Sequence, residues 1–144
     1  MSLLAIDTSA LLRRYVRTSG HGLVTEAMAE STTWCASALA RTETLQAMHA
    51  VAVTPGQHDA LWSALRSDWE RFHVAPIDDR CLALAVEIGA TFRVRSTDAI
   101  HLAAAARLPA PVRYLTFDRR QIPAAAGLGF EVVAPREDLE PPLG

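Results

Sequence analysis

The chain has 144 residues, 50% of them hydrophobic and 21% charged, which is the balance of one ordinary domain with a core of its own. That excludes a disordered tail, a collagen-like repeat and a disulfide-stapled miniprotein; Cys35 and Cys81 stand in no metal-like or redox-like spacing and read as buried thiols in a reducing compartment. The formal charge is −2, so no overall basic field marks the chain for nucleic acid, although all 14 basic residues are arginine.

In chain order, Leu3 to Ile6 is a short apolar run ended by polar residues, the pattern of a strand buried on both faces. Thr8 to Val16 turns helical, with Leu11, Leu12, Tyr15 and Val16 at helical spacing, and a second short helix is expected over His21 to Glu30. Trp34 to Ala36 reads as a second strand, and Ser37 as the N-cap of a helix through Val51. Thr54-Pro55 has the form of an N-cap followed by proline at the first helical position, opening a helix to about Arg71. Phe72 to Ala75 is a third strand, stopped by Pro76. Asp78 caps a helix to Ile88 that Gly89 is expected to end. Ser96 or Thr97 starts the next helix, through Ala106. Val112 to Thr116 is a fourth strand, a short helix follows Asp118, and Phe130 to Val133 is a fifth strand. The tail from Pro135 is expected to be loose. No stretch has the length of a membrane span, and Met1 to Asp7 lacks a signal peptide's basic start and long apolar core, so a single cytoplasmic domain over residues 1–144 is expected.

Strands alternating with helices imply an α/β fold, a parallel sheet with helices on both faces. In such sheets ligands bind outside the carboxyl ends of the strands, near the point where strand order reverses. Asp7 ends the first strand, Asp118 follows the fourth, Asp98 lies in the first turn of a helix, and Glu43 sits within the helix after the second strand. Taken one at a time, Asp98 has an ordinary role as a helix cap, Asp118 as a turn residue and Glu43 as a solvated charge, whereas Asp7, directly after a buried apolar strand, is harder to dismiss. Together, four carboxylates in one place coexist in ionised form only if cations neutralise them. Hard oxygen ligands select Mg²⁺ or Mn²⁺ over zinc, and a cation so held activates water and neutralises phosphate charge.

The blocks Ile6-Asp7-Thr8-Ser9-Ala10-Leu11-Leu12, Arg41-Thr42-Glu43, Thr97-Asp98-Ala99-Ile100-His101-Leu102-Ala103 and Thr116-Phe117-Asp118-Arg119-Arg120 resemble, in order and spacing, the PIN-domain ribonucleases, and among them the VapC toxins of toxin–antitoxin pairs. The resemblance runs over essentially the whole chain. It implies a three-layer α/β/α sandwich around a parallel sheet of about five strands. It also implies a Mg²⁺- or Mn²⁺-dependent endoribonuclease, a homodimer, inhibition by a small VapB-like antitoxin, and an RNA substrate. By position it makes Asp7, Glu43, Asp98 and Asp118 the metal-holding acidic quartet, and Thr116 the residue that orients an acid or a water beside them. One departure is that Arg41 and Thr42 stand where aliphatic residues are common before Glu43.

His101 follows Asp98 by three residues on the same helix face, where packing or hydrogen bonding is the expected role and metal ligation the less common one. Arg93 and Arg95 precede Asp98, and Arg119 and Arg120 follow Asp118, so a locally basic rim for phosphate could surround an acidic centre. Trp62, Leu65 and Trp69 form a helical stripe that reads as core, or else as a groove for a partner helix. Rival readings fare worse. A haloacid-dehalogenase-like phosphatase needs a second aspartate where Ser9 stands. Dinucleotide binding needs a glycine-rich turn after a strand, whereas Gly127-Leu128-Gly129 precedes one. A catalytically silent PIN-like module is expected to have lost acids that are all present here. A non-toxin nuclease of RNA processing and a deoxyribonuclease share the same chemistry.

Overall fold

Short runs of apolar residues separated by amphipathic helices leave each strand nothing to pack against but its neighbours and the helices above and below. The computed structural model, which describes residues 2–140, resolves this into five strands and eight α-helices. In order these are β1 (Leu3–Ile6), α1 (Thr8–Tyr15), α2 (His21–Glu30), β2 (Thr33–Ser37), α3 (Ala38–Val51), α4 (Pro55–Trp69) and β3 (His73–Ala75). There follow α5 (Asp79–Phe92), α6 (Ser96–Ala106), β4 (Val112–Leu115), a 3-10 turn (Arg119–Gln121), α7 (Ile122–Gly127), β5 (Glu131–Val133) and α8 (Arg136–Leu139). The sheet order is β3-β2-β1-β4-β5 with every pair parallel, so strand order reverses between β1 and β4.

Side chains alternate across the sheet and build two cores. Leu4, Ile6, Trp34 and Leu115 pack with α1 to α4 on one face. Ala5, Val112 and Tyr114 pack with α5, α6 and α7 on the other. This is the expected three-layer α/β/α arrangement. Among the described residues, no helix is long and apolar enough to cross a membrane.

Two expectations need correction, and one alternative is decided. Gly89 does not end α5, which continues to Phe92 and stops where Arg93 adopts φ 56°. A Cβ at Gly89 would already touch the Ala99 Cβ at 3.8 Å, so the glycine serves close packing of α5 on α6. The described part of the tail is not loose: α8 forms, and Asp138 takes the Arg119 guanidinium at 3.0 Å. Residues 141–144 of that tail lie outside the described residues. The Trp62–Leu65–Trp69 stripe is core, with Leu65 fully buried and both tryptophans packed against the α1–α4 side.

Candidate active site

Asp7 is the residue at which β1 becomes α1. It keeps its backbone N–H in the sheet, donating to the Leu115 carbonyl, and its carboxylate caps the helix by accepting from the Ala10 N–H at 2.9 Å. The side chain is buried and also accepts from Ser9 Oγ at 2.7 Å and Thr116 Oγ1 at 2.6 Å. Burial outweighs these three donors and pushes the carboxyl above the ordinary aspartate range. Thr116, fully buried at the end of β4, accepts in turn from the Asp118 N–H at 3.0 Å, tying two acids through one hydroxyl.

Asp98 lies in the first turn of α6, where the helix N-terminus favours negative charge. It is buried, accepting from Gln121 Nε2 at 3.1 Å on one oxygen and from Arg95 Nε at 3.1 Å on the other. The Arg95 guanidinium also reaches Asp118 Oδ2 at 3.6 Å, so one arginine spans two of the acids. Asp118 caps the 3-10 turn through the Arg120 N–H and receives the Arg120 side chain at 3.2 Å. Glu43, in the second turn of α3, accepts from Thr8 Oγ1 at 2.6 Å and lies 2.6 Å from His101 Nε2. The His101 contact is the main cause that holds this carboxyl below the ordinary glutamate range. The other imidazole nitrogen of His101 meets Ser37 Oγ at 2.9 Å. Ser37 therefore occupies the N-cap backbone position but spends its hydroxyl on the histidine rather than on the helix.

The four acids line a single cavity of about 230 Å³, together with Thr8, Ser9, Arg95, Thr97, His101 and Gln121. It opens at the carboxyl ends of β1 and β4, where strand order reverses. Thr116 supports it from behind. The four rim arginines divide. Arg95 forms part of the wall and Arg120 lies on Asp118, whereas Arg119 turns to Asp138 and Arg93 is an exposed helix end. Thr8 and Ser9 were legible in principle, since a hydroxyl beside a capping aspartate is well placed to bind it. Gln121 left no signal in the sequence.

Larger hollows lie elsewhere. An apolar groove of about 630 Å³ runs beside Tyr15, Val16, Val51, Val53 and Leu61, at the far end of α1 from Asp7. Another, of about 410 Å³, lies between α5 and α6 and includes exposed Leu82 and Val86. Neither contains a carboxylate, and a third hollow of about 490 Å³ beside Phe117 has only Glu137 and Asp138, so the four acids at the strand ends meet in the smaller cavity alone.

Residues 4–127 match the PIN domain family. Ribonuclease VapC46 of Mycobacterium tuberculosis is 31% identical over 136 residues, which is 94% of this chain and 99% of that protein. Among solved structures, VapBC-5 from Mycobacterium tuberculosis, a member of the VapBC family of toxin–antitoxin systems, superposes with a TM-score of 0.65 at 16% identity, over 94% of this chain and 100% of that one. A toxin–antitoxin complex from Klebsiella pneumoniae gives 0.65 at 20% identity, over 92% and 96% of the two chains. DNA-bound VapBC from Salmonella typhimurium gives 0.67 at 12% identity, over 93% and 98%. At those identities the superpositions establish a shared fold.

Proposed function

The chain belongs to the PIN-domain family, and from that premise we propose that its acidic cavity is the active site of an endoribonuclease, the toxin of a VapC-like toxin–antitoxin pair. The observation that carries this reading is the convergence of Asp7, Glu43, Asp98 and Asp118 on one cavity at the reversal of strand order. The donor set suits a hard divalent cation, being four carboxylates and hydroxyls without a thiol, while both nitrogens of the His101 imidazole are taken by Glu43 and Ser37. Among the described residues no three His, Cys, Asp or Glu side chains already close on one point, and the Arg95 guanidinium lies between Asp98 and Asp118. Asp7 and Asp98 would hold Mg²⁺ or Mn²⁺, with Glu43 and Asp118 acting directly or through water, and the ion would supply positive charge for the phosphate and lower the pKa of an attacking water.

The chain's own groups do the positioning. Thr116 and Ser9 fix the Asp7 carboxylate, and Thr8 with His101 fixes Glu43. Arg95, whose side chain is mostly exposed, is free to turn from the acids to a substrate phosphate, and Arg120 flanks it. Arg93 and Arg119 would meet only neighbouring phosphates. The partner we propose is a VapB-like antitoxin that lays a helix in the apolar groove beside Tyr15 and Leu61 and presents an arginine to the acids; the assembled toxin is proposed to be a homodimer.

The test is cleavage of RNA with excess Mg²⁺, followed by end-group analysis. In-line hydrolysis by water leaves a 5′-phosphate and a free 3′-hydroxyl, and Asp98→Asn should abolish it. Ends carrying a 2′,3′-cyclic phosphate would refute the mechanism. Co-expression with any small antitoxin-like reading frame found immediately upstream of the gene tests the partner: full activity in a stable complex would refute inhibition alone.

A further inference from the structure

Tyr114 and Gln121 are polar side chains buried in the α5–α7 core, a region otherwise filled largely by alanine, leucine and valine. Burying a phenol and an amide is costly unless both are hydrogen-bonded. Their bonds run in one line. The Tyr114 hydroxyl donates to Gln121 Oε1 at 2.6 Å, and Gln121 Nε2 donates to Asp98 Oδ1 at 3.1 Å. The order is set by the far end, because an ionised carboxylate only accepts, so the amide must turn its NH₂ to Asp98 and its oxygen to Tyr114. The Gln121 backbone N–H donates to the Asp118 carbonyl at 3.0 Å, which ties the same residue to a second acid's segment.

Asp98 has only two side-chain donors among the described residues, and they differ in kind. Arg95 is 62% exposed and is also drawn to Asp118, whereas Gln121 is buried and anchored. When Arg95 turns to a phosphate, Gln121 is the donor that keeps the Asp98 carboxylate from rotating. We propose that Gln121, oriented by Tyr114, is a positioning residue that holds Asp98 with Oδ2 facing the cavity, ready for a divalent cation. The inference rests on the acidic-site reading above. Partners of metal-binding carboxylates matter on this scale: their loss weakens metal affinity or activity by about 10- to 100-fold.

Calorimetric titration of the intact protein with Mn²⁺ tests it, beside RNA binding in metal-free buffer and the Mn²⁺ concentration for half-maximal cleavage. Gln121→Met should weaken Mn²⁺ binding by about 10- to 100-fold and raise the half-maximal concentration in parallel, with metal-free RNA binding unchanged. Tyr114→Phe, which frees the amide to rotate, should give a smaller loss in the same direction, and it decides the question if Gln121→Met does not fold. Asp98→Asn separates the two levels of the argument. If that variant binds Mn²⁺ like the wild type, the acidic-site reading itself is overturned. If it loses Mn²⁺ while folded Gln121→Met and Tyr114→Phe both bind Mn²⁺ like the wild type, the role of Gln121 alone is overturned.

Discussion

Asp7→Asn should raise stability at neutral pH while abolishing cleavage, and both halves follow from the surroundings of one side chain. The wild-type carboxylate is buried, and among the described residues it takes part in no ion pair. Its hydrogen bonds to Thr116, Ser9 and Ala10 offset only part of the cost of burying a charge. Asparagine retains an oxygen for Ser9 and Ala10 but offers an amide to Thr116, exchanging a charge-assisted bond of about 1.5–3 kcal/mol for a neutral one of about 1 kcal/mol. Against this stands the desolvation of an unpaired charge, several kcal/mol per ion, so the net gain is about 1–2 kcal/mol. In a domain of this size that is a rise of about 3–8 °C in Tm. The sign can be checked by pH. Because the folded pKa of Asp7 lies above the unfolded one, wild-type stability falls as pH rises from the ordinary aspartate value, about 4, through the raised folded value. The asparagine variant should therefore match the wild type near pH 4 and exceed it at pH 7.5, by differential scanning calorimetry in matched buffers. A variant less stable at pH 7.5, or a Tm difference that does not change between those pH values, would refute the burial argument. Wild-type cleavage by the folded variant would refute the site.

Arg95→Gln should tighten Mn²⁺ binding by about 2- to 5-fold, since a competing cation leaves Asp98 and Asp118, and should weaken RNA binding with a flatter salt dependence; an unchanged metal affinity and salt slope would make Arg95 an ordinary solvated charge. Glu43→Gln should remove a stabilisation that is fully present above the ordinary glutamate pKa and lost as pH falls through the lowered folded value. Equal stability differences at pH 3 and pH 7 in denaturant titrations would contradict that. Gly20→Ala should cost about 1–3 kcal/mol, because φ is 93° and the new Cβ would lie 2.2 Å from Phe117 Cε1; an unchanged urea midpoint would refute the packing there. Thr54→Ala breaks a capping box with Gln57 and should cost about 1 kcal/mol in the same assay, an effect that Gln57 alone should not restore.

Much of the fold was legible because its signals are local. Leu3–Ile6 alternates between the two cores within four residues, Thr54-Pro55 opens a helix through bonds within four residues, and Asp78 caps α5 the same way. The acidic quartet was legible as a set because Asp7 and Asp118 follow strands, Glu43 stands on the helix after β2 and Asp98 starts the helix before β4, and a parallel sheet brings those ends together. What escaped depended on partners distant in sequence. Gly89 carries a stop signal, yet α5 continues because α6 packs closely against that glycine and Phe92 has a place beside Gly127. Ser37 has a cap's position, yet its hydroxyl serves His101, 64 residues away. Arg93, Arg95, Arg119 and Arg120 are alike in sequence, and only the surrounding charges sort them: Arg95 to two acids of the cavity, Arg120 to one, Arg119 to Asp138 in α8 and Arg93 to the surface. The sequence by itself determined the strands, the helix starts and which carboxylates stand at strand ends, since backbone propensity, capping and burial pattern act over a few residues. The tertiary structure decided which hydroxyl, amide or guanidinium meets each carboxylate, because a buried charge takes whatever donor the packing of remote segments brings within reach.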